Sequence, residues 1–111
     1  MGEWQTEAEF TKHLETTFSV NVQVADEPKT INLTLVAVTP RPSEPHEQAG
    51  MERFSAVFSG PSDVFLPQQI YRMAHPGMGE FDVFLTAIAK EQDGFRYEAV
   101  YNFFIPQVVM S

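Results

Sequence analysis

The amino-acid sequence predicts an α+β fold in one domain, residues 1–111, with an N-terminal helix packed on a six-stranded, mainly antiparallel, barrel-like sheet. Three observations carry that expectation. Apolar residues recur every four positions once, near the N-terminus, and a period of two then recurs six times. The links between the period-two segments are mostly short and rich in Gly, Pro and Asp, which suits antiparallel pairing, because parallel strands need long crossovers. Six twisted strands in about ninety residues also tend to curl and close, which hides their edges.

The helix is expected over about 6–17. Thr6 is a candidate cap with Glu9 as its capping-box partner, and Phe10, Leu14 and Phe18 form one stripe, with His13 beside it. The first strand, about 18–24, alternates Phe18, Val20, Val22 and Val24 with Ser19, Asn21 and Gln23. After a turn at "ADEPK", the second, about 30–38, sets Ile31, Leu33, Leu35 and Ala37 on one face. Val36 and Val38 make its far end apolar on both faces, so a cover is expected there. A proline-rich loop from Thr39 to Gly50 follows. The third strand, about 52–59, points Phe54, Ala56 and Phe58 inward, and the fourth, about 69–74, is short and mixed in polarity. "HPGMGE" makes a turn into the fifth, about 80–89, where Phe81, Val83, Leu85 and Ala87 oppose Phe84 and Ile88. Asp93-Gly94 is the strongest short hairpin signal, and it leads into the sixth strand, about 95–104.

The bulk composition excludes several function classes. There is no cysteine, so disulfides, thiol catalysis and thiolate metal sites are out, and a reducing compartment is permitted. Seven basic residues against fifteen acidic ones give a net charge of −8, and the cations are scattered singly. Binding to nucleic acid or to anionic membranes needs clustered cations, so neither is expected. The N-terminus is acidic and polar, unlike a secretory leader, and no apolar run approaches the roughly 20 residues that span a bilayer. Cytoplasmic localisation is the expectation.

Catalytic chemistry finds no foothold in the sequence. His13, His46 and His75 lie far apart, without metal-ligand spacing, and no cofactor or metal is expected. His75, set against Pro76, is expected to bond backbone in a tight turn. No nucleophile-elbow motif is present, and the "GMG" of Gly77 to Gly79 links two strands, where a phosphate cradle would need a following helix. Asp82 shares a face with Phe84 and Ile88, which implies either exposure, the favoured reading, or a partner such as Arg72 or Arg96.

Four pieces in order carry a family resemblance. They are Phe54, Phe58, Gly60 and Pro61; Leu66, Pro67, Gln68 and Tyr71; His75, Pro76, Gly79 and Phe81; and Tyr97, Ala99, Val100 and Asn102. The chain thereby resembles a family of short bacterial proteins of unknown function with the pattern F-x-x-x-F-x-G-P, L-P-Q-x-x-Y, H-P-x-x-G-x-F and Y-x-A-V-x-N. Thr86-Ala87 departs from the Val-Pro expected there. The resemblance implies an association with phage-tail or tail-collar proteins, and no catalytic residue.

The expectation is therefore a non-enzymatic protein-interaction module, an accessory or chaperone of a phage-tail-like fibre or adhesin, acting on a protein partner or a second copy. Its candidate interface is Val36, Val38, Phe84, Ile88, Ile105, Val108 and Val109, where apolar residues exceed what a core needs. Gln68, His75 and Asn102 are candidate polar pins of loop backbone. The alternative is a small-molecule-binding barrel whose fourteen aromatics line a pocket. A hydrolase using His75 and a nearby carboxylate ranks third.

Overall fold

The computed structural model describes residues 6–40 and 51–104, with backbone alone at 24, 51, 52 and 102–104. One short helix, α1 (Glu7–Lys12), precedes six strands: β1 (Thr17–Val24), β2 (Glu27–Pro40), β3 (Met51–Gly60), β4 (Gln69–His75), β5 (Gly79–Glu91) and β6 (Gly94–Phe104). They close into an antiparallel barrel in the order β1-β2-β3-β6-β5-β4. The fold is thus mostly β, and the α+β description overstates one helical turn and a half.

That helix is shorter than the four-residue stripe suggests. Thr6 caps it as the sequence indicates, its hydroxyl accepting from the Glu9 N–H at 3.2 Å. It ends at His13, and Glu15 follows with φ of 66°. Of the three stripe residues, Phe10 alone belongs to the helix, Leu14 is exposed, and Phe18 opens the inward face of β1.

The hairpins explain the remaining boundary shifts. Between β1 and β2 the turn is two residues, Ala25 and Asp26, both with positive φ (52° and 67°), the geometry of a type I′ turn that matches strand twist. Glu27 to Lys29 therefore join β2 instead of the loop. At the β4–β5 turn the Met78 N–H bonds the His75 carbonyl at 3.2 Å, and Gly79 takes φ of 80° in the following bulge position. A bulge in β2 between Leu35 and Ala37 reverses facing parity. Val38 therefore pairs with inward Ala56 and packs on the core, while Ala37 pairs with Val57.

Inward residues of all six strands line up as neighbours in the ladders, in the Phe18–Leu33, Leu35–Phe58, Phe58–Tyr97, Ala56–Ala99, Phe81–Met73 and Met73–Val20 pairs. Both ends are stoppered. At one end α1 inserts Phe10, whose ring lies 5.4 Å from Tyr101, 5.8 Å from Phe54 and 6.0 Å from Phe81. At the other, the 61–68 segment crosses the mouth to carry the chain from β3 to β4 and drops Leu66 into the barrel, 2% exposed. The Leu66 N–H donates to the buried Tyr97 hydroxyl at 3.0 Å, and the Tyr71 hydroxyl donates to the Pro67 carbonyl. These bonds satisfy a backbone that would otherwise be stranded in an apolar setting. Between these two stoppers lies one cluster of buried Phe, Leu, Val, Met, Ala and Tyr side chains.

Candidate functional site

Three surface features stand out on this filled barrel. The first lies at the helical end. The His75 ring sits 4.4 Å from that of His13 and 4.3 Å from that of Phe18. Gly77 donates its N–H to Nδ1 of His75 at 2.9 Å, so that nitrogen is unprotonated and Nε2 carries the hydrogen. Nε2 donates to the Thr16 hydroxyl at 3.0 Å, which in turn donates to the His13 carbonyl at 2.6 Å. A Cβ on Gly77 would stand 2.6 Å from Cε1 of His13, so a larger residue here would push the His13 ring aside. Burial, and then the neighbouring His13, hold the His75 pKa below the ordinary imidazole range. Both ring nitrogens of His75 are engaged in joining the end of α1 to the β4–β5 turn. Among the described residues, no group of three or more His, Cys, Asp or Glu is arranged to hold a metal ion.

The second feature is an apolar row on the barrel's outside. Ile70 of β4 is 65% exposed and pairs directly with Phe84 of β5, 49% exposed. Val100, 53% exposed on β6, and Phe84 each lie two residues beyond Thr86–Glu98, the pair at which the β5–β6 ladder ends on this side. Ile88, also 49% exposed, protrudes at the bulge between Ala87 and Ala89. Asp82 lies beside the row, exposed and also bridged to Arg72 at 3.1 Å, so both readings of its environment hold.

The third feature is a split seam. β1 and β4 close the barrel through two residue pairs, Ser19–Ala74 and Val20–Met73. Among the described residues the ladder stops there, leaving Asn21–Val24 and Gln69–Arg72 without partners across the gap. Between those edges lies a cleft of about 460 Å³ floored by Val64 to Pro67 of the crossing segment.

The chain belongs to a family described as a domain of unknown function (DUF6916), whose model matches residues 6–101. No curated protein and no solved structure matches it. The DUF6916 match spans α1 and nearly all of the barrel, so the helical stopper is part of the family's domain.

Within this frame the expected site residues scatter. Phe84 and Ile88 are exposed; Val36 is half-buried at the β2 bulge, and Val38 lies against the core because that bulge turned it inward. Ile105, Val108 and Val109 lie outside the described residues. Gln68 is exposed in the crossing segment, while Asn102 pairs with Arg53 in the β3–β6 ladder and its side chain is not described. Ile70, Val100 and Phe65 are exposed apolar residues absent from the expected interface. For Val100 the signal was present: it alternates with inward Tyr97, Ala99 and Tyr101. No helix among the described residues is long and apolar enough to cross a membrane.

Proposed function

We propose that the domain is a non-enzymatic protein-interaction module that works through the outer face of β4, β5 and β6. The observation that carries this reading is the exposed apolar set Ile70, Phe84 and Val100, in which Ile70 and Phe84 are a direct cross-strand pair and all three stand on the outside of a barrel that has its own buried core. Burying such side chains against a partner yields roughly 25 cal/mol per Å² of apolar surface, and cores of interfaces are built this way. The resemblance set out above supports a finer version: an accessory or chaperone of a phage-tail-like fibre or adhesin, in the cytoplasm. The small-molecule alternative draws no support from the barrel interior, where Phe10 and Leu66 stopper the ends and aromatic side chains occupy the middle.

The test is paired affinity capture from the native lysate with wild type and with the double variant Phe84→Ser, Val100→Ser. The reading expects one protein retained by wild type near stoichiometry and lost by the variant, with both baits equally folded. A wild-type domain that stays monomeric and retains nothing at low or high salt overturns it.

A further inference from the structure

The helical stopper rests against a histidine that holds its neighbours only while neutral. Neutral His75 accepts the Gly77 N–H at Nδ1 (2.9 Å) and gives its one ring hydrogen from Nε2 to the Thr16 hydroxyl (3.0 Å). A proton added at Nδ1 sets two donors against each other at the first of these contacts. The surroundings of the ring also oppose a charge. His13, at the end of α1, lies 4.4 Å away ring to ring and becomes a like charge when it too is protonated. β1 brings Phe18, 4.3 Å away, and Ser19, neither of them charged. β5 brings Glu80, on the surface hollow that His75 also lines, but its carboxylate is bridged to Arg72 at 3.5 Å. His75 is 8% exposed, so water does little to stabilise a cation there. The chain just beyond α1 is anchored separately: the Glu15 N–H donates to the Leu35 carbonyl at 2.7 Å, and the Leu35 N–H to the Thr16 carbonyl at 3.2 Å. α1 itself is held by Phe10 in the mouth and by His13 lying against His75 and Gly77.

We propose that His75 is the catch of an acid-operated latch: on taking up a second proton it lets α1 swing away about Leu14 and Glu15, drawing Phe10 out of the mouth while the six strands stay closed. The pivot lies outside the packed core, since Leu14 is exposed and Glu15 already has φ of 66°. The strands have their own connection, because the ten-pair β3–β6 ladder includes neither histidine. Burial and the neighbouring His13 place the catch below the ordinary imidazole range, so it is shut at neutral pH. What the swing uncovers is aromatic: the Phe10 ring now lies over Tyr101, Phe54 and Phe81 at 5.4, 5.8 and 6.0 Å between ring centres. α1 is thereby a removable cover over an apolar socket, separate from the outer face of Phe84 and Val100.

An NMR titration of the full chain from about pH 7.5 to about pH 4 tests the latch. Three signals are followed together: the ring-proton shifts of His13 and His75, the nuclear Overhauser cross-peaks of the Phe10 ring to Tyr101 and Phe54, and the cross-strand contacts of β3 with β6. The expected result is that the Phe10 cross-peaks vanish as His75 titrates, while the β3–β6 contacts persist. His75→Gln should keep the Phe10 cross-peaks throughout, and His13→Gln should move their loss to lower pH, because the like charge is gone. The wild-type series decides the matter even if a variant does not fold. Phe10 cross-peaks that survive the titration of His75, or a His75 that stays neutral to the end of the series, would overturn the proposal. So would loss of the Phe10 and β3–β6 contacts in one step, which is acid unfolding of the whole domain, or release of α1 from His75→Gln at the wild-type pH.

Discussion

Replacing Tyr97 with Phe removes one oxygen atom from the middle of the crossing segment's attachment. The Tyr97 side chain is fully buried and its hydroxyl accepts the Leu66 N–H at 3.0 Å, with a longer contact of 3.5 Å to the Val64 carbonyl. Burial pushes the Tyr97 phenol pKa up, as expected for a hydroxyl that stays neutral in an apolar wall. Tyr97→Phe keeps the ring and leaves the Leu66 N–H, on a residue 2% exposed, without its acceptor. An unsatisfied buried donor costs about 1–3 kcal/mol. Taking roughly 2 kcal/mol, and a urea slope of about 1–3 kcal/mol per M for a domain of this size, the midpoint should fall by about 1 M at unchanged slope. Leu66→Ala removes the same stopper by a cavity, so the two variants should be less than additive in combination, which a double-mutant cycle reads directly. A Tyr97→Phe protein within about 0.3 kcal/mol of wild type, or full additivity with Leu66→Ala, would refute the view that this bond fixes the stopper.

Further outcomes follow from other contacts. Gly94→Ala should destabilise strongly and loosen the β3–β6 end, because its Cβ would fall 1.9 Å from the Gly60 carbonyl oxygen and Gly94 has φ of 146°; a urea series and amide exchange at Gly60 and Phe95 would show it. Phe10→Ala should cost about 3–5 kcal/mol in the same denaturation assay, since it opens one end of the barrel and releases α1. Because the folded His75 pKa lies below its unfolded value near 6.5, its contribution is intact above that pH and falls away as pH drops through 6.5 toward the folded value. Urea midpoints from about pH 7.5 to about pH 5 should therefore fall more steeply for wild type than for His75→Gln, and parallel curves would contradict the assignment.

Strand content was legible because most strands alternate and the turns at Gly79 and Gly94 carry their glycines, whereas the β1–β2 turn sets Ala25 and Asp26 at positive φ and gave no such mark. Local signals fail where facing parity changes: the run around Val36 gives no mark of the bulge that turns Val38 inward. They fail again where a periodic stripe is shared by two elements, as Phe10 on α1 and Phe18 on β1. The seam, the His13–His75 stacking and the Tyr97–Leu66 bond join segments far apart in the chain. Long-range closure decides them, and no short window of residues contains it. The outer row was half legible for a local reason, since the register of the β4–β5 hairpin is set by the His75–Gly79 turn geometry. The outward parity of Val100 could be counted, but not that Ile70 of β4 would stand next to Phe84.

The strand order has an architectural consequence. β1-β2-β3 and β4-β5-β6 are two three-stranded meanders, welded along ten residue pairs between β3 and β6 but tacked by two between β1 and β4. The covalent link between them is the segment crossing the mouth. Opening that link at exposed Ser62 or Asp63 would leave each half with its own hairpins and a shared ten-pair edge on which to find the other. The molecule is thus organised as a natural pair of complementing fragments, and the same division supplies a split reporter whose reassembly follows the β3–β6 ladder.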